Sequence, residues 1–324
     1  MREVELNIEL WPLLEPFVIT GHIWTHCDVL VVNISENGFT GRGEATGVYY
    51  LDETAESMNR QVLGIREQLE QGMSREQLQS LLPAGGARNA VDCALWDLEA
   101  KISCRSIFEL TDIQPGPVNT VITVTIDTPD EMANKARAIS ARQIKVKLDD
   151  EQPLERITAV CRARPDADIV VDANEGWSFE LLKELAPKFK ALGIKMIEQP
   201  LPRGKDDVLE QFQSPITLCA DESCLDTSEL DQAARRYQMV NIKLDKTGGL
   251  TEALNLVRQA KGKGMSLMVG NMTGTSLAMA PAYLVAQLCD FVDLDGALFL
   301  AEDRSCPMNY ERGVVTGLSS QLWG

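Results

Sequence analysis

The stretch "IKVKL" (144–148) places two lysines two residues apart. Side chains two apart on a strand share a face, so Lys145 and Lys147 point one way and Ile144, Val146 and Leu148 the other. Such a strand is either a sheet edge with its lysines in water, or a strand whose lysines meet something inside the protein. Further along, single carboxylates close three apolar runs: Asp172 in "VVDAN", Glu198 in "IEQP" and Asp221 in "CADES". Lys243 stands in "NIKL", and Asp293 and Asp295 in "DLDG". Carboxylates brought close together repel unless positive charge lies between them. Oxygen ligands without His or Cys select a hard cation, and Mg²⁺ is the one expected. The other solution is a salt-bridge network in which Lys145 or Lys243 neutralises the acids.

These residues need elements that bring them together. From about residue 118, short apolar strands recur at 120–126, 144–148, 168–174, 194–200, 216–223, 239–245, 266–271 and 291–296, each start about 22–27 residues after the last. That spacing is one βα unit, and eight of them close a parallel barrel. No GxGxxG fingerprint favours an open doubly wound sheet instead. Chemistry in such barrels sits at the C-terminal strand ends, where the lysines and acids fall. The strands of Lys147 and Lys243 are the second and sixth, four apart in a ring of eight, so they face each other across the mouth. One lysine can remove a proton from a carbon and the other return it to the opposite face, inverting that carbon. A metal on the substrate carboxylate stabilises the enediolate between the two steps.

The first third has a different pattern. Residues 4–10 alternate, and "DVLVVNI" (28–34), "SENG" and "FTGRGEA" follow as antiparallel strands and turns. "GRGEATG" (41–47) belongs to a hairpin. Residues 53–70 and 85–102 are expected to be helical, with Val91, Ala94, Leu95 and Leu98 as the apolar stripe of the second. Ser74 and Gln77 form a capping box, and Thr128 before Pro129 marks a helix start.

Composition excludes several classes. The 324 residues carry a net charge of −17, which argues against nucleic-acid and anionic-membrane partners. No apolar run approaches the ~18 residues of a membrane span. The N-terminus lacks a signal-peptide core, so the expectation is a cytoplasmic protein whose eight Cys are reduced, small core residues. Their spacings match no zinc pattern. His22 and His26 are the only histidines and fall before the barrel; both are read as polar loop residues, which leaves a Lys/Lys pair of bases. "DKTGGL" (245–250) lacks the frame of a phosphate loop.

Together "KVK", "VVDAN", "IEQP", "CADES" and "NIKLDKTGG" resemble the muconate lactonizing enzyme subgroup of the enolase superfamily, over nearly the whole chain. "LPAGGARNAVDCALWDLEAK", "NIKLDKTGGLTEAL" and "DLDG" are similar to dipeptide epimerases of the L-Ala-D/L-Glu type. The resemblance implies an α/β fold: a modified (β/α)7β TIM barrel (114–297) under an α+β capping domain (1–113, completed by the tail at about 298–324). It implies one Mg²⁺ per subunit on Asp172, Glu198 and Asp221, with Lys147 and Lys243 as bases. Lys145 would help hold the substrate carboxylate, Thr123 would contact substrate, and Asp293 and Asp295 would bind the α-ammonium of a dipeptide. Paired i, i+2 carboxylates on one inward face suit a free amine. The implied partner is a small dipeptide, with homo-oligomerisation left open.

One stretch departs from the pattern. The resemblance places Trp24 where glutamate-specific members carry an Arg, and no Lys or Arg occurs between Arg2 and Arg42. The first capping loop, "TGHIWTHCD", offers Ile23 and Trp24; the second offers Val48, Tyr49, Tyr50, Leu51 and Asp52. The expected substrate therefore has an apolar, aromatic or basic second residue, unless Arg203 or Lys205 reaches in. The alternatives are an N-acylamino acid racemase and a lyase of the o-succinylbenzoate synthase or muconate cycloisomerase type, whose substrates lack a free ammonium.

Overall fold

In the computed structural model, which describes residues 2–324, the chain begins with three antiparallel strands: β1 (Glu3–Ile19), β2 (His22–Glu36) and β3 (Phe39–Thr46). Asn37 and Gly38 make the tight β2–β3 turn, both with positive φ. β1 and β2 form one long hairpin with a register shift between Pro12 and Phe17, beyond which Phe17 faces Trp24. The stretch expected as the first capping loop is thus the tip of a hairpin. His22 and His26 lie on β2, not in a loop.

The helical expectations hold with one break. Residues 53–70 divide into helices 55–64 and 66–70, separated at Ile65. The Ser74–Gln77 capping box opens helix 75–81, and Thr128 caps 129–138 with Pro129 in its first turn. The long helix runs from Gly86 to Ser103 and is buried on more than its apolar stripe. Its other face carries Arg88, Asn89 and Asp92, which bond to the Thr247 and Gly248 carbonyls, to Asp245 and to Thr251 respectively. Gly43 of β3 packs against this helix so closely that a Cβ there would stand 2.0 Å from the Ala90 carbonyl oxygen.

A two-residue strand, β4 (Val118–Asn119), precedes the parallel sheet. That sheet comprises β5 (Ile122–Val124), β6 (Gln143–Lys147), β7 (Asp168–Asp172), β8 (Met196–Glu198), β9 (Thr217–Ala220), β10 (Met239–Ile242), β11 (Ser266–Val269) and β12 (Phe291–Val292), neighbours in chain order. The Val121 N–H donates to the Val292 carbonyl at 2.9 Å and ties the first strand to the last. β6 lies between β5 and β7, so the sheet-edge reading of "IKVKL" does not hold. After β8 the expected helix is only a 3₁₀ segment, Asp207–Gln211.

Two apolar layers position the polar ends. Outward residues such as Ile144, Val146, Val171, Ile197, Leu218 and Ile242 pack under the helices. Inward residues Val121, Val170, Met196, Cys219, Met239 and Met268 fill the barrel's lower interior. Strand alternation then puts Lys145, Lys147, Asp172, Glu198, Asp221, Asn241 and Lys243 inward, above that plug.

The tail returns to the N-terminal unit. β13 (Asn309–Glu311) and β14 (Val314–Thr316) add to β4. Arg304 binds Glu9 at 2.8 Å and Glu44 at 2.5 Å, and the Trp323 indole donates to the Cys93 carbonyl. Among the described residues all eight Cys are free, but only Cys27, Cys93, Cys219 and Cys224 are buried; Cys104 is exposed. Among the described residues no helix is long and apolar enough to cross a membrane.

Candidate active site

The strand ends and the first unit enclose a cavity of about 230 Å³. Its floor is formed by Thr123, Lys145, Lys147, Asn174, Glu222, Lys243, Asp293 and Asp295. Lys147 ends β6, while Lys243, Asp221, Asp293 and Asp295 stand just past shorter strands than expected. Gly270, beyond β11, leaves room for Lys243: a Cβ there would lie 3.1 Å from its Cε.

The charges are buried and mutually engaged. Lys145 Nζ lies 3.0 Å from Asp172 Oδ2, 2.8 Å from Glu198 Oε2 and 2.8 Å from Asp293 Oδ2. Lys147 donates to Asp172 Oδ2 at 2.6 Å and to Asn174 Oδ1 at 3.0 Å. Lys243 donates to Asp221 Oδ2 at 2.7 Å. Burial would raise the Asp172 carboxyl, but Lys145 and Lys147 outweigh it and hold it at about 2. Burial pushes Lys145 down, yet Asp172, Asp293 and Glu198 keep its ammonium well above the usual range. Lys243 is likewise lowered by burial and raised further by Asp221 and Glu198. The salt-bridge arrangement is therefore the one seen, and among the described residues no three acids, His or Cys stand together as a bare metal cluster.

The donor set nevertheless fits a hard cation. Asp172, Glu198 and Asp221 sit inward on successive strands, each with no exposed surface. Glu198 accepts from Asn241 Nδ2 at 2.7 Å through Oε1, while its buried Oε2 is met by the Lys145 ammonium at 2.8 Å without a well-directed hydrogen bond. Three buried carboxylate groups on adjacent strands, one of them with an oxygen that takes no directed hydrogen bond, match the oxygen ligation of Mg²⁺.

On the opposite side, Asp293 and Asp295 share one corner. Asp295 Oδ2 accepts from the Thr123 N–H at 2.7 Å, and Asp293 Oδ1 is buried without a partner. Burial and the adjacent Asp293 push the Asp295 carboxyl well above the usual range. A buried acid pair of this kind favours an incoming cation.

The roof is aromatic. Trp24 stacks on His22 with centroids 5.2 Å apart and meets Tyr49 edge-on, also at 5.2 Å. Tyr49 meets Tyr50 at 5.0 Å, and Phe17 packs edge-on against Phe299 at 4.8 Å. Of the expected roof residues, Trp24, Tyr49 and Tyr50 line the cavity. Ile23 does not; it is 69% exposed. Val48 is buried behind the wall, and Leu51 and Asp52 are exposed. Arg203 is paired with Glu229 and Lys205 is exposed; neither lines the cavity, whose only Lys or Arg residues are Lys145, Lys147 and Lys243.

Sequence reasoning missed Phe17, Leu13 and Phe299, which reach the cavity from β1 and from the 3₁₀ turn after β12. It also missed Asn241, although its place two before Lys243 on one strand face was a usable signal. Lys246 gave no such signal: it is fully buried and donates to Asp221 Oδ1 at 2.6 Å and to the Asp221, Cys224 and Asn241 carbonyls.

Comparison with known proteins agrees with this architecture. Residues 1–111 match the mandelate racemase / muconate lactonizing enzyme N-terminal domain, and 130–306 match the enolase C-terminal domain-like family. The chain is 45% identical to an L-Ala-D/L-Glu epimerase of Escherichia coli, over 97% of this chain and 99% of that one. It is 42% identical to an N-acetyl-D-glutamate racemase of a Pseudoalteromonas species, covering 91% and 95%. A solved structure from Agrobacterium tumefaciens, described as an enolase family member with homology to dipeptide epimerases, superposes with a TM-score of 0.98 at 40% identity and full coverage of both chains; it holds sodium and L-Ala-L-Glu. A dipeptide epimerase from Methylococcus capsulatus, complexed with Mg and L-Arg-D-Lys, superposes with a TM-score of 0.91 at 30% identity, covering 97% and 96%.

Proposed function

We propose, from the premise that the chain belongs to the mandelate racemase / muconate lactonizing enzyme family of the enolase superfamily, that it is a Mg²⁺-dependent dipeptide epimerase. It is an isomerase that inverts the α-carbon of the C-terminal residue. The carrying observation is the placement of Lys147 and Lys243 on strands four apart around one cavity, with the carboxylates between them. Residues 1–113, with the tail from about 298, act as the cap, and 114–297 as the catalytic barrel.

Lys147 stands on one side of the substrate α-carbon and Lys243 on the other. For one isomer, one amine takes the α-proton while the opposite ammonium delivers its own; for the other isomer the roles exchange. Asp172, Glu198 and Asp221 hold the cation, which supplies positive charge to the substrate carboxylate as negative charge builds there. Lys145 adds a second cation beside that carboxylate. Thr123 borders the substrate, and its N–H fixes Asp295. Asp293 and Asp295 receive the dipeptide's ammonium. The apolar roof excludes water, so these charges act at low dielectric.

Specificity follows from the roof. Trp24, Tyr49 and Tyr50 suit an apolar or aromatic second side chain, and can stack on a basic one. They offer no cation to a glutamate side chain, and an unpaired buried carboxylate costs several kcal/mol. The likeness to the Pseudoalteromonas racemase keeps an N-acylamino acid racemase as the second reading; the acid pair at the amine corner weighs against it. It weighs equally against a lyase of the o-succinylbenzoate synthase or muconate cycloisomerase type.

Incubating L-Ala-L-Xaa and Xaa-L-Ala libraries, and a set of N-acylamino acids, with enzyme and Mg²⁺ in D₂O tests all of this. Each substrate should gain one mass unit at the C-terminal α-carbon. Incorporation only into N-acylamino acids would replace the epimerase with the racemase. No incorporation into any amino acid derivative would end the proton-transfer reading.

A further inference from the structure

Gln199 follows Glu198 directly, in the "IEQP" motif, yet does not line the cavity. Its side chain is fully buried, and its backbone adopts φ +33°, in the left-handed region that non-glycine residues rarely enter. Such a conformation persists only where surrounding bonds enforce it. Here the bonds reach all three strands that end in the inward acids.

The backbone makes two of them. Gln199 N–H donates to the Cys219 carbonyl on β9 at 2.9 Å, and its carbonyl accepts from Glu175 N–H, just past β7, at 2.8 Å. The amide side chain makes the rest. Oε1 accepts from the Asp221 N–H at 3.0 Å and from the Ser223 N–H at 3.1 Å. Nε2 donates to the Leu201 carbonyl at 2.7 Å, Ser223 Oγ at 2.8 Å and Tyr237 OH at 3.2 Å. Tyr237 is itself anchored on Asp206 Oδ2 at 2.7 Å. Both ends of the amide are satisfied, so its orientation is fixed and it cannot turn over without losing bonds at either end.

We infer that Gln199 is a positioning residue that sets the separation of Glu198 and Asp221 and thereby the metal affinity of the site. The inference rests on the metal reading given above. Glu198 is placed by the backbone bend that follows it at Gln199, and Asp221 by the amide that grips its N–H. A shift of either strand end changes how two carboxylates meet one small cation, which Mg²⁺ tolerates poorly. Bonds of this outer kind are worth about 10–100-fold in metal affinity in other sites.

The test is Mn²⁺ binding to the full chain, followed by electron paramagnetic resonance of free Mn²⁺, with melting temperature measured in EDTA alongside. Gln199→Met keeps the side-chain length and removes its bonds. It should weaken Mn²⁺ at least ~tenfold, beyond any loss of melting temperature. A purely structural role would lower the melting temperature and leave the affinity of the folded protein unchanged, and that result overturns the inference. Should Gln199→Met not fold, the double variant Ser223→Ala/Tyr237→Phe decides. It strips two acceptors from Nε2 and should weaken Mn²⁺ by about tenfold, the lower end of that range; unchanged affinity again overturns the inference. Wild-type protein without Mn²⁺ affinity removes the metal reading and this inference together. A wild type that binds beside a folded variant that binds equally removes the inference alone.

Discussion

The floor and the roof of the cavity are built on opposite plans. The floor is a set of buried charges at the ends of short parallel strands, placed by strand alternation, with Lys145, Lys147 and Lys243 each paired to a carboxylate. The roof is a set of aromatic rings from three distant places: the β1–β2 hairpin, the 3₁₀ turn Tyr49–Leu51 and the turn containing Phe299. Losing one floor residue strands a partner in a low dielectric, which is costly. Losing one ring removes contact area and little else. The floor should therefore decide whether the reaction runs, and the roof on what.

The sharpest way to break this division is at the bases. Lys147→Ala and Lys243→Ala should each lower kcat by about 10³–10⁴-fold or more, within and above the usual range for a positioned base. Wash-in of deuterium should survive for one substrate isomer in each variant, because the remaining lysine still faces one side of the α-carbon. Chiral chromatography follows epimerisation and mass spectrometry follows exchange. Full epimerase activity in either variant would dismantle the two-base assignment. A chelator should act as strongly, with activity returning on addition of Mg²⁺; Asp221→Asn should then need more Mg²⁺ for half-maximal rate.

The amine corner comes next. Acetylating the dipeptide nitrogen removes the charge that Asp293 and Asp295 are placed to receive. Removing the charged partner of a buried carboxylate costs about 3–5 kcal/mol, so kcat/KM should drop by about 10²–10⁴-fold. Faster turnover of the N-acetyl compound would transfer the assignment to the racemase reading.

The same contrast explains what could be learned from residues alone. Strand period and spacing place a side chain within its own strand, so the inward acids and lysines were legible before any coordinates. Their partners were less so. Lys145 lies between three acids on β7, β8 and past β12 because all those strands are brought around it, a long-range fact. The roof was the least legible. Trp24 and Tyr49 were picked out, but the neighbouring Ile23 faces solvent and Phe17 faces the cavity, because β1 shifts register between Pro12 and Phe17. The tail was anticipated only in outline; its pairing with β4 and the Arg304 link to Glu44 depend on chain ends meeting.

The smallest expected effect lies in the roof, at Trp24. Its indole contacts both His22 and Tyr49 and borders the cavity, half-buried. Trp24→Arg keeps a long planar side chain that can still stack on His22. It also brings a guanidinium to a cavity wall that has none, the cations present being the floor lysines. An L-Ala-L-Glu substrate would then find a partner for its side-chain carboxylate, while L-Ala-L-Phe would lose an aromatic contact of about 0.5–1.5 kcal/mol. The ratio of kcat/KM for the two should swing by about tenfold or more toward glutamate, since ~1.4 kcal/mol is one decade. The rate on the better substrate should stay within the wild-type range, because no floor residue is touched. A wild type already fastest on L-Ala-L-Glu would sink the roof reading, as would a Trp24→Arg protein whose ratio does not move. A Trp24→Arg protein inactive on every dipeptide would show that roof and floor are not separable.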